Sequence, residues 1–188
     1  MGPVGIIILV VVIVLVIALI AWLIGMYNGL QKLKNIVDEG WATIDVQLKK
    51  RYDLIPNLVE TVKGYAKHES GTLEAVIAAR NAAMTATGDG KLAAENALSG
   101  TLKSLFALQE AYPELKANSN FMDLQSQLKG VENELASARR YYNGTVKELN
   151  TKIDLFPTNL VAKMMKLQKR TYFELDSAEE RKAPQVKF

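Results

Sequence analysis

Between Val4 and Met26 the chain reads VGIIILVVVIVLVIALIAWLIGM, 23 residues without a charged side chain. As an α-helix this run rises roughly 35 Å, enough to cross a hydrocarbon core of about 30 Å with some tilt. In lipid the backbone has no hydrogen-bonding partner but itself, so the helix forms despite its many β-branched residues. Trp22 and Tyr27 stand near one end, where aromatic rings favour the headgroup layer. A cleaved signal peptide would need a basic start, a shorter apolar core and a small-x-small cleavage site. The opening MGPVG has no Lys or Arg, and Ala18-Leu19-Ile20-Ala21 is poorly spaced for cleavage. The segment reads as a retained transmembrane helix, with residues 1–28 as terminus and anchor.

All 23 basic and 20 acidic side chains fall after Gln31. Lys32 and Lys34 follow the span closely, with Lys49, Lys50 and Arg51 further on, against only the α-amino group before it. The positive-inside rule then places the C-terminal part in the cytoplasm and the short N-terminus outside. A net charge of +3, with no dense basic face interleaved with aromatics, argues against nucleic acid as a partner. Cysteine is absent, which removes disulfides, thiolate metal sites and cysteine nucleophiles.

Beyond the span the apolar positions are Leu30, Leu33, Val37, Trp41, Ile44, Leu48 and Tyr52, always three or four apart. That spacing is one buried helical stripe, continuing from the anchor with only Asn28-Gly29 as a mild interruption. It resumes after Pro56 through Val59, Val62, Ala66, Leu73 and Val76 or Ile77. TGDGK, 87–91, reads as a turn. A shorter helix follows through Leu98, Leu102, Leu105 and Leu108, then the last long pattern from Leu124 to Ile153. No strand-like alternation of useful length appears. The expected fold is all-α: a single N-terminal transmembrane helix continuing into an antiparallel up-and-down bundle of about four helices plus a short fifth, over 29–171. Residues 172–188 read as an irregular tail.

One phrase occurs twice inside these patterns, as RYDLIPNLV at 51–59 and KIDLFPTNLV at 152–161. An interior proline removes a helical hydrogen bond and collides with the carbonyl four residues back, at about 3 kcal/mol. In a first helical turn its missing N–H costs nothing. Asp53 and Asp154, three residues before Pro56 and Pro157, are placed to accept from the unpaired amides of a new helix. The phrase is therefore expected to end one helix and begin another, with a kink at Pro56 as the alternative because the apolar phase survives it.

Few residues point to chemistry. His68 is the single histidine, and the position four residues on is Thr72, so the KHE triplet at 67–69 is not a helical metal motif. No catalytic, metal or cofactor site is expected. Two stretches suggest interaction instead. KMMKLQKR, 163–170, sets Lys163, Lys166, Lys169 and Arg170 beside Met164, Met165 and Leu167, as in a short amphipathic helix on an anionic membrane surface. The plainer reading packs its methionines into the bundle. Arg139 and Arg140, followed by Tyr141 and Tyr142, could line a partner surface, or pair with bundle carboxylates while Tyr142 joins the core.

The block WATIDVQLKKRYDLIPNLVETVKGYAKHE, 41–69, resembles the signature of the LemA family of bacterial membrane proteins. ARRYYN at 138–143, FPTNLVA at 156–162, YFE at 172–174 and APQVKF at 183–188 follow in the order that family shows. The stretch at 163–171 departs from it in being more basic. The resemblance implies a single N-terminal span in the bacterial inner membrane and an α-helical bundle, and implies no catalytic activity. The reading that follows is a non-enzymatic scaffold, self-associating at the lipid bilayer as a homo-oligomer that organises or shapes the membrane. The alternative is a membrane-anchored adaptor that recruits a protein partner in signalling or envelope homeostasis.

Overall fold

Helical periodicity carries through most of the described residues. The computed structural model describes residues 2–87 and 89–173, and every regular element among them is helical. In chain order these are α1 (Pro3–Tyr65), α2 (Ser70–Thr85), α3 (Asp89–Ala107), α4 (Pro113–Lys116), α5 (Ser119–Asp154) and α6 (Thr158–Met164). A single 3-10 turn, Leu108–Glu110, follows α3. The bundle anticipated from the stripes is therefore present, with the expected tail at 172–188 lying outside the described residues beyond Phe173.

Pro56 does not end a helix as its sequence setting suggests. It lies inside α1, a single helix of 63 residues, and no new helix begins there. Asp53 caps nothing; its carboxylate accepts from Lys49 Nζ one turn earlier at 3.0 Å. The helix continues because both sides of the proline bury the same face: Leu48 and Ile55 before it, Leu58, Val59 and Val62 after it. Proline still deprives the Tyr52 carbonyl of its helical donor. That carbonyl is supplied from another helix, by Arg80 Nε of α2 at 2.8 Å. The true break comes later, at Ala66–Glu69, so the stripe read as continuous through Ala66 to Val76 belongs to two helices.

At the second copy the phrase does break the helix. α5 ends at Asp154, the Phe156–Pro157 bond is cis, and Pro157 precedes α6 as its N-cap residue. Asp154 does not cap α6 either; it pairs with Lys169 at 2.8 Å. The Thr158 hydroxyl closes the turn, its single O–H within reach of two carbonyls, Lys152 O at 2.6 Å and Leu155 O at 2.9 Å.

The contacts group into two compact units. One comprises 2–42 with 140–172. Here α1 and α5 pack antiparallel, with Trp41 against Tyr142 at a ring separation of 5.4 Å. Gly40 marks their close approach: a Cβ there would meet Tyr142 Cα and Tyr141 Cδ1 at 3.5 Å. Alanine fits that space and favours the helix by up to about 1 kcal/mol. Gly40→Leu forces the helices apart, at about 1–3 kcal/mol. Thermal melts should place Gly40→Ala at or above the parent and Gly40→Leu clearly below it. Further along, Leu30 packs with Val161 and Ala162 of α6, and Met26, Ile153, Met165 and Leu167 cover them.

The other unit comprises 43–139 with Phe173. Its core is drawn from the remainder of α1, from α2 and α3, and from the first half of α5, where Leu128 and Leu135 are buried. Each such leucine contributes about 1.5–3 kcal/mol by leaving water. α5 starts where Asn118 Oδ1 accepts the Phe121 amide at 2.9 Å, a side-chain cap over its first turn. Phe121 itself is fully buried, a core position that the stripe from Leu124 misses.

Candidate functional site

Arg51 and Tyr52 open the repeated phrase, and a helix turns both inward. Arg51 is 1% exposed and Glu95 of α3 is fully buried, the two buried charged residues among those described. Arg51 Nη1 donates to Glu95 Oε2 at 3.0 Å, and Nη2 to Ser99 Oγ at 2.7 Å. Its Nε lies 2.8 Å from Glu132 Oε1 of α5, an ion pair without hydrogen-bond alignment. Glu95 Oε1 accepts from the Tyr52 hydroxyl. Lys91 completes the group, donating to Tyr52 Oη at 3.0 Å and to Ala83 O at 2.8 Å. That last bond sets a cation over the final turn of α2, where the helix dipole favours it. Three α-helices and the start of α5 are thus tied by one polar cluster.

The cluster's electrostatics favour a neutral Tyr52. Burial, then the hydrogen bond to Glu95 and its negative charge, push the Tyr52 hydroxyl far above the ordinary tyrosine range, with Arg51 opposing and Asp45 adding a little. The folded chain therefore holds a proton that the unfolded chain releases near pH 10. Stability from this group is fully present below that pH and is lost as pH rises above it, at about 1.4 kcal/mol per unit. In urea unfolding, the difference between the parent and Tyr52→Phe should stay constant below about pH 10 and narrow above it.

Beside Arg51 opens a cavity of about 640 Å³ lined by Lys103, Phe106, Met122, Gln125, Lys129 and Glu132 among others. It joins cationic, amide and apolar groups, a surface suited to an amphipathic segment. Every charged group of the Arg51–Glu95 cluster meets another within the fold, so the cluster acts as a bolt between helices. Among the described residues no group of three or more His, Cys, Asp or Glu side chains gathers as a metal site would.

The residues singled out for interaction fall in different settings. Lys163 is in the last turn of α6, and the helix stops at Met164. The amphipathic helix expected over 163–170 is thus absent: Lys166 adopts φ 53° and the chain turns back as a strap. Arg170 and Asn150 exchange backbone and side-chain hydrogen bonds at 2.9 Å, while Tyr142 donates to Thr171 O at 3.2 Å. Arg170 Nη2 also meets Asp38 at 2.9 Å. Lys169 and Arg170 are therefore engaged within the fold, and Lys163 and Lys166 project outward. Arg139 is half-buried with its guanidinium 4.5 Å from the Phe173 ring centre, and Arg140 is exposed. Tyr142 is buried, as the core reading expected, and Tyr141 is exposed. The turn expected at TGDGK is shorter than it reads, since α3 already begins at Asp89.

Sequence reasoning missed the Arg51–Glu95 pair. Arg51 counted only as one of the charges following the span, and Glu95 drew no attention. A signal was present: Arg51 adjoins the stripe residue Tyr52, and Glu95 lies three positions before the core residue Leu98.

Among the described residues one helix, α1, is long and apolar enough to cross a membrane, and its apolar stretch is unburied. Joined to helices packed around buried leucines and one ionic bolt, it defines an all-α chain with an apolar leading helix. The family model described as the LemA family matches residues 40–188, and the chain belongs to that family. It is also 26% identical over 161 residues to Protein LemA of Metamycoplasma hominis, a match covering 83% of this chain and 72% of that protein.

Proposed function

We propose that this protein is a non-enzymatic, single-pass membrane scaffold that associates with copies of itself to organise or shape the bilayer. The observation that carries the reading is the unbroken course of α1. The apolar run Val4–Met26 and the bundle helix through Tyr65 are one element, without a linker to decouple them. Membrane anchoring of this kind suits an assembly in which lipid and protein parts keep a common register. The two lysines after the span, Lys32 and Lys34, favour a bacterial inner-membrane protein with its N-terminus outside and its bundle cytoplasmic. Mass photometry of the full chain in native-lipid particles tests the scaffold. A large symmetric particle supports it; a monodisperse protomer across several mild detergents, with no crosslinked ladder in native membranes, ends it.

The second reading is an adaptor, favoured by the cavity beside Arg51, whose mixed cationic and apolar lining fits a partner's amphipathic segment. In that case a full-length pull-down retains one protein stoichiometrically. Charge reversal at Lys103 and Lys129, or replacement of the exposed Arg140, releases it.

A further inference from the structure

Four large apolar side chains are left outside the packed unit at one corner. Between α5 and α6, Leu155 is 57% exposed and Phe156 78%; on α6, Leu160 is 53% exposed and Met164 81%. Their position along α1 follows from the antiparallel pairing. Trp41 lies against Tyr142, so advancing ten residues along α5 and retreating ten along α1 brings the level of Lys152 to that of Gln31. A cavity shared by Trp22, Gly25, Met26, Gly29, Glu148, Lys152 and Thr158 agrees with this register. Two residues more end α5 at Asp154, level with Gly29, so Leu155 and Phe156 follow just beyond it, near the end of the apolar run. α6 is held at the same height, because Val161 and Ala162 pack on Leu30 with Met26 beside them.

From this we infer that the α5–α6 corner is a second membrane contact, a foot whose Leu155, Phe156, Leu160 and Met164 side chains enter the headgroup and upper acyl layer beside the anchor. The inference rests on the reading of Val4–Met26 as a membrane span. Given that span, these side chains stand at interface depth, where apolar surface leaves water without needing a protein partner. The charges around them fit the same occupant. Lys152, Lys163 and Lys166 are exposed and make no ion pair among the described residues, while Asp154 is neutralised by Lys169 and the other nearby acid, Glu148, lies one turn further back on α5 than Lys152. Lysines with long stems hold their ammonium groups in the headgroup layer while apolar neighbours go deeper. The bilayer surface recognised is therefore an anionic one. A cation-rich rim around exposed Phe and Met is also why this corner differs from the strap after it, whose Lys169 and Arg170 are already paired.

The absence of cysteine makes the test direct. Single cysteines at Phe156 and Leu160, labelled with a nitroxide, are placed in the full-length chain. The protein is reconstituted in vesicles of phosphatidylcholine with one quarter phosphatidylglycerol. Val14→Cys serves as the mid-span reference and Lys147→Cys, two turns back on α5, as the water reference. Power saturation with oxygen and with a water-soluble nickel complex reads depth. The expected result is severalfold protection from nickel at Phe156 and Leu160 relative to Lys147, with oxygen access between those of Lys147 and Val14. Joint Lys163→Gln and Lys166→Gln replacement should shift the Phe156 label towards water in the anionic vesicles and leave it unmoved in phosphatidylcholine alone. Nickel access equal to that at Lys147 overturns the inference. So does protection from both relaxants, which means that protein, a second copy or a partner, covers the corner. If Val14 itself lacks oxygen access, the anchoring reading fails, an outcome distinct from failure at the corner alone.

Discussion

Replacing Arg51 by methionine is expected to destabilise the protein by about 3–5 kcal/mol, lowering its melting temperature by roughly 10 °C. The magnitude follows from what remains behind. Glu95 is fully buried, and losing Arg51 leaves its carboxylate with the Tyr52 hydroxyl and a Lys91 ammonium at 3.7 Å. A buried charge short of its partner costs far more than the pair contributes, because the desolvation of both ions is already paid. Joint replacement, Arg51→Met with Glu95→Leu, removes both charges and fills the space with apolar groups. It should recover most of the loss and return to within about 1–2 kcal/mol of the parent. Glu132, whose side chain is 41% exposed, then turns to solvent at little cost. Melts of the four proteins followed by circular dichroism in one detergent decide this. If the double variant instead stays about 3–5 kcal/mol below the parent, apolar packing does not substitute for the pair and the bolt stabilises outright.

A second large effect is expected at the proline. The Tyr52 carbonyl, freed by Pro56, relies on Arg80. Arg80→Ala strands that carbonyl and is expected to cost about 1.5–3 kcal/mol, the range for a hydrogen bond with one charged partner. Pro56→Ala restores a backbone N–H four residues on, within the same helix, and relieves the ring's collision with that carbonyl. In the Pro56→Ala background, loss of Arg80 should therefore cost less, with a coupling on the order of 1–2 kcal/mol. Equal cost in both backgrounds would show that Arg80 stabilises through its other contacts. The cycle tests a general point about this chain: a proline is tolerated mid-helix when a neighbouring helix supplies the donor it lacks.

The scaffold and adaptor readings place different demands on the same faces. Self-assembly acts through surfaces common to every copy, and Gly40, where α1 and α5 approach closely, keeps one of the two units compact. An adaptor needs an open recess, and the cavity beside Arg51 provides one walled by the ionic bolt. In both, the Arg51 cluster matters by fixing the relative positions of α1, α3 and α5, so its substitution should weaken association only as far as it weakens the fold.

What the sequence by itself determined is what local periodicity encodes. An uncharged apolar run of 23 residues is long enough, as a helix, to cross a bilayer, and apolar residues three or four apart place a single buried face on each helix after it. Leu30, Val37, Ile44, Leu48, Val146 and Leu149 are buried as that spacing requires. The fate of the Asp-Leu-x-Pro phrase was not local. At Pro56 the helix goes on because Arg80, 28 residues beyond Tyr52, reaches its orphan carbonyl and because core contacts hold both flanks. At Pro157 the chain stops because Thr158 closes the turn and Asp154 has Lys169 to face. The partnership of Arg51 with Glu95, 44 positions apart, is of the same kind. Periodicity tells which face of a helix is buried; only the tertiary structure decides which polar groups are buried with it, because their partners come from other helices.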